Sequence, residues 1–339
     1  MANILFFAHD PGGANAIKPL IAPLKNKGFN CCIYGKGPAL NILPNVIEYS
    51  NDTDNLIKKI NPIFVITGTS ADDMTEKELR KSAKKYNIPN MAILDQWVNY
   101  NRFTKYSIKE LLKNKKYKET EYLPDYYIVM DNFAKEEAIK VKVPEKIIYP
   151  LGNPHFKEIK ESFENLNVKN LKSQLLKGKE KLFVWASAPY IEDYGYGIEL
   201  ECLKDLIEII PNNVQLIVKP HPRENEHKFD EFKNIKIVRE ISPQQAIKVA
   251  DIVISVTSMI LTESLIANKP TISYQKGETD KNVFILTKMN ALNFIHDKIE
   301  LQNEIFKMLH KREFKPDFKI NFNATENIIK FIEDKLCQN

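Results

Sequence analysis

The chain has 339 residues, 43% of them apolar, and 49 Lys and Arg against 44 Asp and Glu, a formal net charge of +5. That length exceeds one ordinary core and predicts two domains, and so small a charge excess is no nucleic-acid footprint. No run approaches the roughly 18 apolar residues of a membrane span, and Cys31, Cys32, Cys202 and Cys337 lack metal or CxxC spacing, so they read as reduced thiols of a cytoplasmic protein.

In chain order, NILFFA (3–8) reads as a strand rather than a signal peptide. NAIKPLIAPLKNKG, ending at Gly28, has helical periodicity. CCIYG (31–35), VIEYS (46–50), FVITGTS (64–70), MAILD (91–95) and YYIVM (126–130) read as buried parallel strands, with helices around Asn55–Ile60 and Glu76–Tyr86. The basic stretch KELLKNKKYKE (109–119) reads as a solvated helix face, or else as a patch facing an acceptor or the inner membrane surface.

The alternation restarts after Pro154 with KLFVWASA (181–188), a helix near Glu199–Ile210, VQLIVKP (214–220) and IKIVRE (235–240). A helix near Pro243–Ala250 and the runs DIVISV (251–256), TISYQ (271–275) and LNFI (292–295) complete it. TENIIKFIEDKL (325–336) carries one apolar stripe behind a Thr–Glu helix opening. The expected fold class is α/β, with two Rossmann-like doubly wound domains and a cleft between them. The expected boundaries are 1–155 for an acceptor-side domain, 156–320 for a nucleotide-sugar domain, and 321–339 for a helix returning to the first domain.

Ligands of open parallel sheets collect at the carboxyl ends of the strands. After the first strand stand His9, Asp10, Pro11, Gly12, Gly13, Ala14 and Asn15. The glycines suit a tight turn and close backbone approach, and this is not the GxGxxG of a dinucleotide site. Asp10 is either a turn cap or the general base on the floor of a cleft, with Asp95 and Asp72 next in line for that role. Asp95, Gln96, Trp97, Asn99, Tyr100 and Arg102 mix rings, amides and charges as a sugar-reading pocket does; a Trp packed under a loop is the alternative.

In the second half, Ser187 follows LFVWA, and Lys219, His221 and Arg223 follow QLIV. Thr257 and Ser258 follow DIVIS, and Glu263 lies in the next helix. Convergent cations and hydroxyls fit a phosphate, Glu263 a ribose, and the backbone around Ser242, from Ile241 to Pro243, a pyrimidine edge. No histidine has metal spacing, Asp52–Thr53–Asp54 reads as a polar turn, and there is no GxSxG elbow. The expected chemistry therefore uses no metal or cofactor.

With these strand-end residues the chain resembles the GT-B class of nucleotide-sugar enzymes. KPHPRE (219–224) is similar to the His-Pro motif of bacterial polysialyltransferases and capsular Kdo transferases, and SVTSMILTESLIANKP (255–270) to their Ser/Thr motif. LGNPHF (151–156) is similar to a hinge of the wider group, which includes UDP-N-acetylglucosamine 2-epimerases and CDP-glycerol transferases. The resemblance implies that His221, Thr257 and Ser258 hold a CMP phosphate and that an N-domain carboxylate is the base. On it the chain is expected to be an inverting glycosyltransferase. It would move a nonulosonic acid, such as sialic, legionaminic or pseudaminic acid, or Kdo, from a CMP-activated donor to a surface glycan or glycoprotein. A UDP-sugar glycosyltransferase, an enzyme like the UDP-N-acetylglucosamine 2-epimerases, and a non-catalytic nucleotide-sugar binding protein stand as alternatives.

Overall fold

The computed structural model describes residues 1–50, 52–71, 73–103, 121–189, 191, 197–233, 235–277, 284–310, 314–316 and 318–338. Two compact units emerge: residues 1–158 with the stretch from Ile320 onward, and residues 159–319.

Unit 1 is a seven-stranded, wholly parallel sheet. Its strands are β1 (Asn3–Ala8), β2 (Asn30–Gly35), β3 (Ile47–Glu48), β4 (Phe64–Thr67), β5 (Asn90–Ile93), β6 (Tyr126–Ile128) and β7 (Ile148–Tyr149), in the order β3-β2-β1-β4-β5-β6-β7. All four residues of β4 and β5 are buried, as a strand covered on both faces requires. The helices are α1 (Pro11–Ile17), α2 (Ile21–Asn26), α3 (Thr53–Ile60), α4 (Thr75–Lys85) and α5 (Asn132–Lys140). The periodic segment before Gly28 is not one helix: Lys18–Leu20, which contains Pro19, is a 3-10 turn between α1 and α2, because proline has no N–H to continue the ladder.

Unit 2 has five parallel strands, β8 (Lys181–Ala186), β9 (Val214–Lys219), β10 (Lys236–Ile237), β11 (Ile252–Ser255) and β12 (Thr271–Ser273), in the order β10-β9-β8-β11-β12. The helix α6 (His155–Asn165) contains the division between the units, and α7 (Lys169–Leu176) leads into β8. Then come α8 (Ile198–Ile209), α9 (Pro243–Val249), α10 (Ile260–Ile266), α11 (Ile285–Lys288) and α12 (Lys298–His310). Phe183, Trp185, Leu203, Val218, Ile254 and Leu301 build its core. Both sheets are doubly wound, so the α/β class read from the sequence is the one the structure has.

Some expected elements are shorter or absent. VIEYS and IKIVRE keep two strand residues each. LNFI is no strand; it makes one bridge, Tyr274 to Ile295. The last helix, α13 (Ala324–Cys337), has Asn323 at its N-cap with no side-chain bond, so Thr325 and Glu326 do not open it. Ile328, Ile329 and Ile332 of α13 join Ile4, Phe6 and Ile66 in one core, and Phe331 packs on Tyr126 and Tyr149, with ring centroids 5.2 and 4.6 Å away. Among the described residues no helix is long and apolar enough to cross a membrane.

Because Ile328 is fully buried and Lys330 exposed, the two test α13 as part of the core of unit 1. Ile328→Ala should cost about 2–5 kcal/mol in urea unfolding, and Lys330→Ala less than about 0.5 kcal/mol. Equal small effects would remove α13 from that core.

Candidate functional site

In unit 1 the strand order reverses between β1 and β4, which makes the loops after these strands neighbours at the carboxyl edge of the sheet. A fully buried carboxylate ties them together. Glu76, on α4, accepts the His9 N–H at 2.9 Å through Oε1 and the Ser70 N–H at 2.7 Å through Oε2. Burial raises its pKa, against the pull of Arg80 and of these backbone bonds. Arg80, one turn along and equally buried, donates through Nη1 to Thr67 Oγ1 at 2.8 Å and through Nε to the Tyr122 carbonyl at 3.1 Å. Burial lowers its pKa to about 10.

Asp10 occupies the N-cap position of α1, but its side chain makes no cap bond. Instead Oδ1 lies 2.6 Å from His9 Nδ1, and Oδ2 accepts the Ala71 N–H at 3.1 Å. The turn-cap reading of Asp10 therefore falls away. Gly12 and Gly13 sit in the first turn of α1 rather than in a tight turn. A Cβ on Gly12 would stand 1.8 Å from Asp95 Oδ2, and one on Gly13 would meet the Gly68 backbone at 3.0 Å. The glycines thus admit the Asp95 carboxyl group and the β4 exit. Asp95 Oδ1 lies 3.3 Å from Arg102 Nη1, which also donates to the Thr69 carbonyl at 2.7 Å. The Asp95 carbonyl accepts from Asn153 Nδ2 at 3.0 Å. Burial pushes the Asp95 carboxyl upward, Arg102 opposes this, and the charge of Asp10 adds to it.

The other expected residues of this half are placed differently. Trp97 is buried, donates Nε1–H to Asp131 Oδ2 at 2.7 Å and stacks on Phe156 with ring centroids 5.4 Å apart; it packs beneath the loop. Asn99 is exposed with φ +56°. Gln96 and Asn15 are half-buried. Asp72, the 109–119 stretch and Tyr190 lie outside the described residues.

Unit 2 reverses its order between β8 and β11 and repeats the device of a buried glutamate. Glu224 accepts from Ser187 Oγ at 2.7 Å and from the His221 N–H at 2.7 Å, joining the loops after β8 and β9. Lys228 Nζ lies 2.6 Å from Glu224 Oε1 and 2.5 Å from Glu199 Oε1, and it donates to the Ala188 carbonyl at 3.1 Å. All three charged groups are almost wholly buried, and burial raises the Glu199 pKa against the pull of Lys228. His221 Nδ1 accepts the Arg223 N–H at 3.2 Å, which leaves Nε2 to carry the proton of the neutral ring.

Lys219 Nζ donates to the Arg239 carbonyl at 3.3 Å; burial and then the charge of Arg239 lower its pKa. Arg223 is exposed, and Thr257 and Ser258 are half-buried at the β11 exit. Ser258 Oγ accepts the Ile260 N–H at 3.4 Å. Glu263 Oε2 accepts from Gln244 Nε2 at 2.9 Å. Ser242 is the N-cap of α9 in a capping box with Gln245, its Oγ accepting and its N–H donating. His296, Asp297 and Glu300 do approach metal-ligand spacing, but Asp297 caps α12 by accepting the N–H groups of Ile299 and Glu300.

None of Glu76, Arg80, Glu224 and Lys228 is among the site residues the sequence suggests. A signal existed for the first pair: Glu76, Leu79, Arg80 and Ala83 form an i, i+3, i+4, i+7 stripe, all buried.

No model of a known protein family matches the chain, and no curated protein matches it by sequence. Solved structures do. The UDP-GlcNAc 2-epimerase of Methanocaldococcus jannaschii superposes with a TM-score of 0.73 at 17% identity, over 98% of this chain and 99% of that one. Staphylococcus aureus MnaA, solved with UDP, gives 0.69 at 15% identity, over 99% and 97%. Anabaena Alr3699/HepE, solved with UDP and glucose, gives 0.63 at 14% identity, over the full length of both chains. At these identities the likeness shows the fold.

These neighbours correct the expectation drawn from the motifs. They include UDP-GlcNAc 2-epimerases and complexes with UDP, so the likeness to polysialyltransferases and Kdo transferases, the CMP-linked nonulosonic donor and the transfer built on it are set aside. The physical reason lies in what the motifs report. KPHPRE and SVTSM stand where any doubly wound sheet receives an anion, and part of what they encode is the Glu224 tether and the Ser258 contact. Neither reads a base or a sugar.

Raising the folded pKa of Asp95 above its ordinary 3.8 gives stability below that value which is lost as pH rises through the folded pKa. The melting temperature of the native chain, relative to Asp95→Asn, should therefore fall as pH rises from about 4. A flat or rising difference would contradict the burial of the Asp95 carboxyl group.

Proposed function

We propose that the chain is a UDP-sugar enzyme of the 2-epimerase kind, acting on a UDP-N-acetylhexosamine. The observation that carries this reading is the likeness to UDP-GlcNAc 2-epimerases over 98% or more of the chain. The chemistry of each unit supports it. Inverting a C–H centre takes one group to remove the proton and another to return it on the opposite face. Unit 1 holds two carboxyl groups in unlike settings. Asp10 accepts from a backbone N–H and lies against an imidazole, which suits the base. Burial favours the protonated form of Asp95, which suits the acid. Unit 2 carries Lys219, His221 and Arg223 at the β9 exit, held by Glu224. Any loosening of the bond to the diphosphate puts charge on its oxygens, and preorganised donors stabilise that charge. On this reading Thr257, Ser258 and Ser187 are further phosphate contacts and Glu263 a ribose contact.

Two measurements test this. In a thermal-shift panel UDP should stabilise the chain by about 2.7 kcal/mol at 100 times its dissociation constant, and CMP should not. Incubated in D₂O with UDP-N-acetylglucosamine, the enzyme should place deuterium at C2 and form the C2 epimer. His221→Ala should slow this about 10²–10³-fold, the scale of one lost oxyanion-type donor. UDP binding without deuterium uptake from any UDP-N-acetylhexosamine would leave a binding protein in place of an enzyme.

A further inference from the structure

His9 is the first residue beyond β1, and its imidazole is fixed from several sides. Its N–H donates to the buried Glu76 carboxylate at 2.9 Å, and its carbonyl accepts the Ala39 N–H at 3.0 Å, so the backbone cannot swing. Gly37, at φ +58°, lies close to the ring; a Cβ there would stand 2.8 Å from Nε2. Nδ1 is 2.6 Å from Asp10 Oδ1, and Nε2 is 3.8 Å from Asp73 Oδ2. Asp73 is in turn bound by Lys36 Nζ at 2.8 Å and by the Thr75 N–H at 2.7 Å. Lys36, Asp73, His9 and Asp10 thus form a row of cation, anion, imidazole and anion. The charge of Asp10 in turn acts on the buried acids Glu76 and Asp95, raising the pKa of each.

We propose that His9 is a positioning residue for Asp10: its Nδ1–H fixes Oδ1 of the carboxylate, and the Gly37 wall and the Lys36–Asp73 pair hold the ring in that orientation. A carboxylate only accepts hydrogen bonds, so the hydrogen in the 2.6 Å contact belongs to Nδ1. With Oδ1 taken by His9 and one site on Oδ2 by Ala71 N–H, the carboxylate is fixed in rotation. One lone pair on each oxygen is left, and that of Oδ2 meets a substrate proton. Fixing a general base within hydrogen-bond reach is a large part of its efficiency. The catalytic consequence rests on the 2-epimerase reading; the dyad itself does not.

The test therefore has two arms. Long-range ¹H–¹⁵N spectra of histidine-labelled full-length chain report which ring nitrogen bears hydrogen. There are six histidines, and His9→Asn assigns the resonance. His9 should be protonated at Nδ1 in the native chain and shift toward the Nε2–H form in Asp10→Ala. A native His9 with bare Nδ1 overturns the proposal whatever the enzyme acts on, and if no UDP-sugar is turned over this arm alone decides the dyad. In the kinetic arm, His9→Ala should lower kcat by about 10–10²-fold, at or below the usual span for a positioned acid or base, with UDP affinity within about twofold by calorimetry. His9→Asn, whose Nδ2–H takes the place of Nδ1–H, should recover most of the loss. In an Asp10→Ala background His9→Ala should add no further loss, since groups acting as one unit are not additive. Additive losses, or a rise in KM with kcat unchanged, would reduce His9 to a structural residue and overturn the proposal.

Discussion

One interaction recurs in both units and the candidate sites depend on it: a buried glutamate that ties two strand-end loops together. Glu76 accepts from His9 and Ser70, and Glu224 from Ser187 and His221. Taking a carboxylate out of water costs several kcal/mol unless hydrogen bonds and countercharges offset it. In unit 1 the offset is two backbone N–H groups and the field of Arg80. In unit 2 it is a hydroxyl, an N–H and Lys228. Charge-assisted bonds of this kind are shorter and stronger than neutral ones. The polar residues that follow the strands thus stand on fixed loops, as preorganised chemistry requires.

Most of the fold was legible because parallel strands buried on both faces read as unbroken apolar runs. The boundaries were less so. FVITGTS looks like one strand, yet the sheet ends at Thr67 and Gly68–Ser70 turn away to bind Glu76 and to pass Gly13. LNFI reads as a strand from its apolar residues, but Leu292 and Ile295, the two that are buried, lie three positions apart and so do not share one face of a strand. Periodicity reports burial, and here burial comes from packing beside the sheet edge with a single bridge to Tyr274.

The site was legible where the rule of strand ends applies. Asp10, Asp95, Ser187 and His221 follow strands closely, and Lys219 is the last residue of one. The tethers were not legible. Glu76 and Arg80 lie in TEKELRKSAKK, a string that reads as a solvated face, and only the stripe shared with Leu79 and Ala83 marks them as buried. Glu224 and Lys228 sit in a polar loop with nothing in its periodicity to separate a buried ion pair from surface charge. The nucleotide was misread for a related reason. A cluster of cations and hydroxyls records that an anion is met, and base and sugar are read by contacts that such a motif does not contain.

The two units share a strand order yet are loaded with opposite charge. At the strand ends of unit 1 stand Asp10, Asp73, Glu76 and Asp95, with Arg80 and Arg102 buried among them as countercharges. At those of unit 2 stand Lys219, His221 and Arg223, while the acids Glu199 and Glu224 are drawn inward and shared by Lys228. Topology fixes where a site forms and leaves its chemistry to the side chains placed there. Carboxyl groups in unlike environments handle protons, and convergent cations handle phosphate. The tethers explain why this division is stable. Each unit uses a buried glutamate as scaffold, Glu76 in one and Glu224 in the other, and in unit 2 the lysine that neutralises it lies inside the protein, so the cations at the β9 exit are not spent on Glu224.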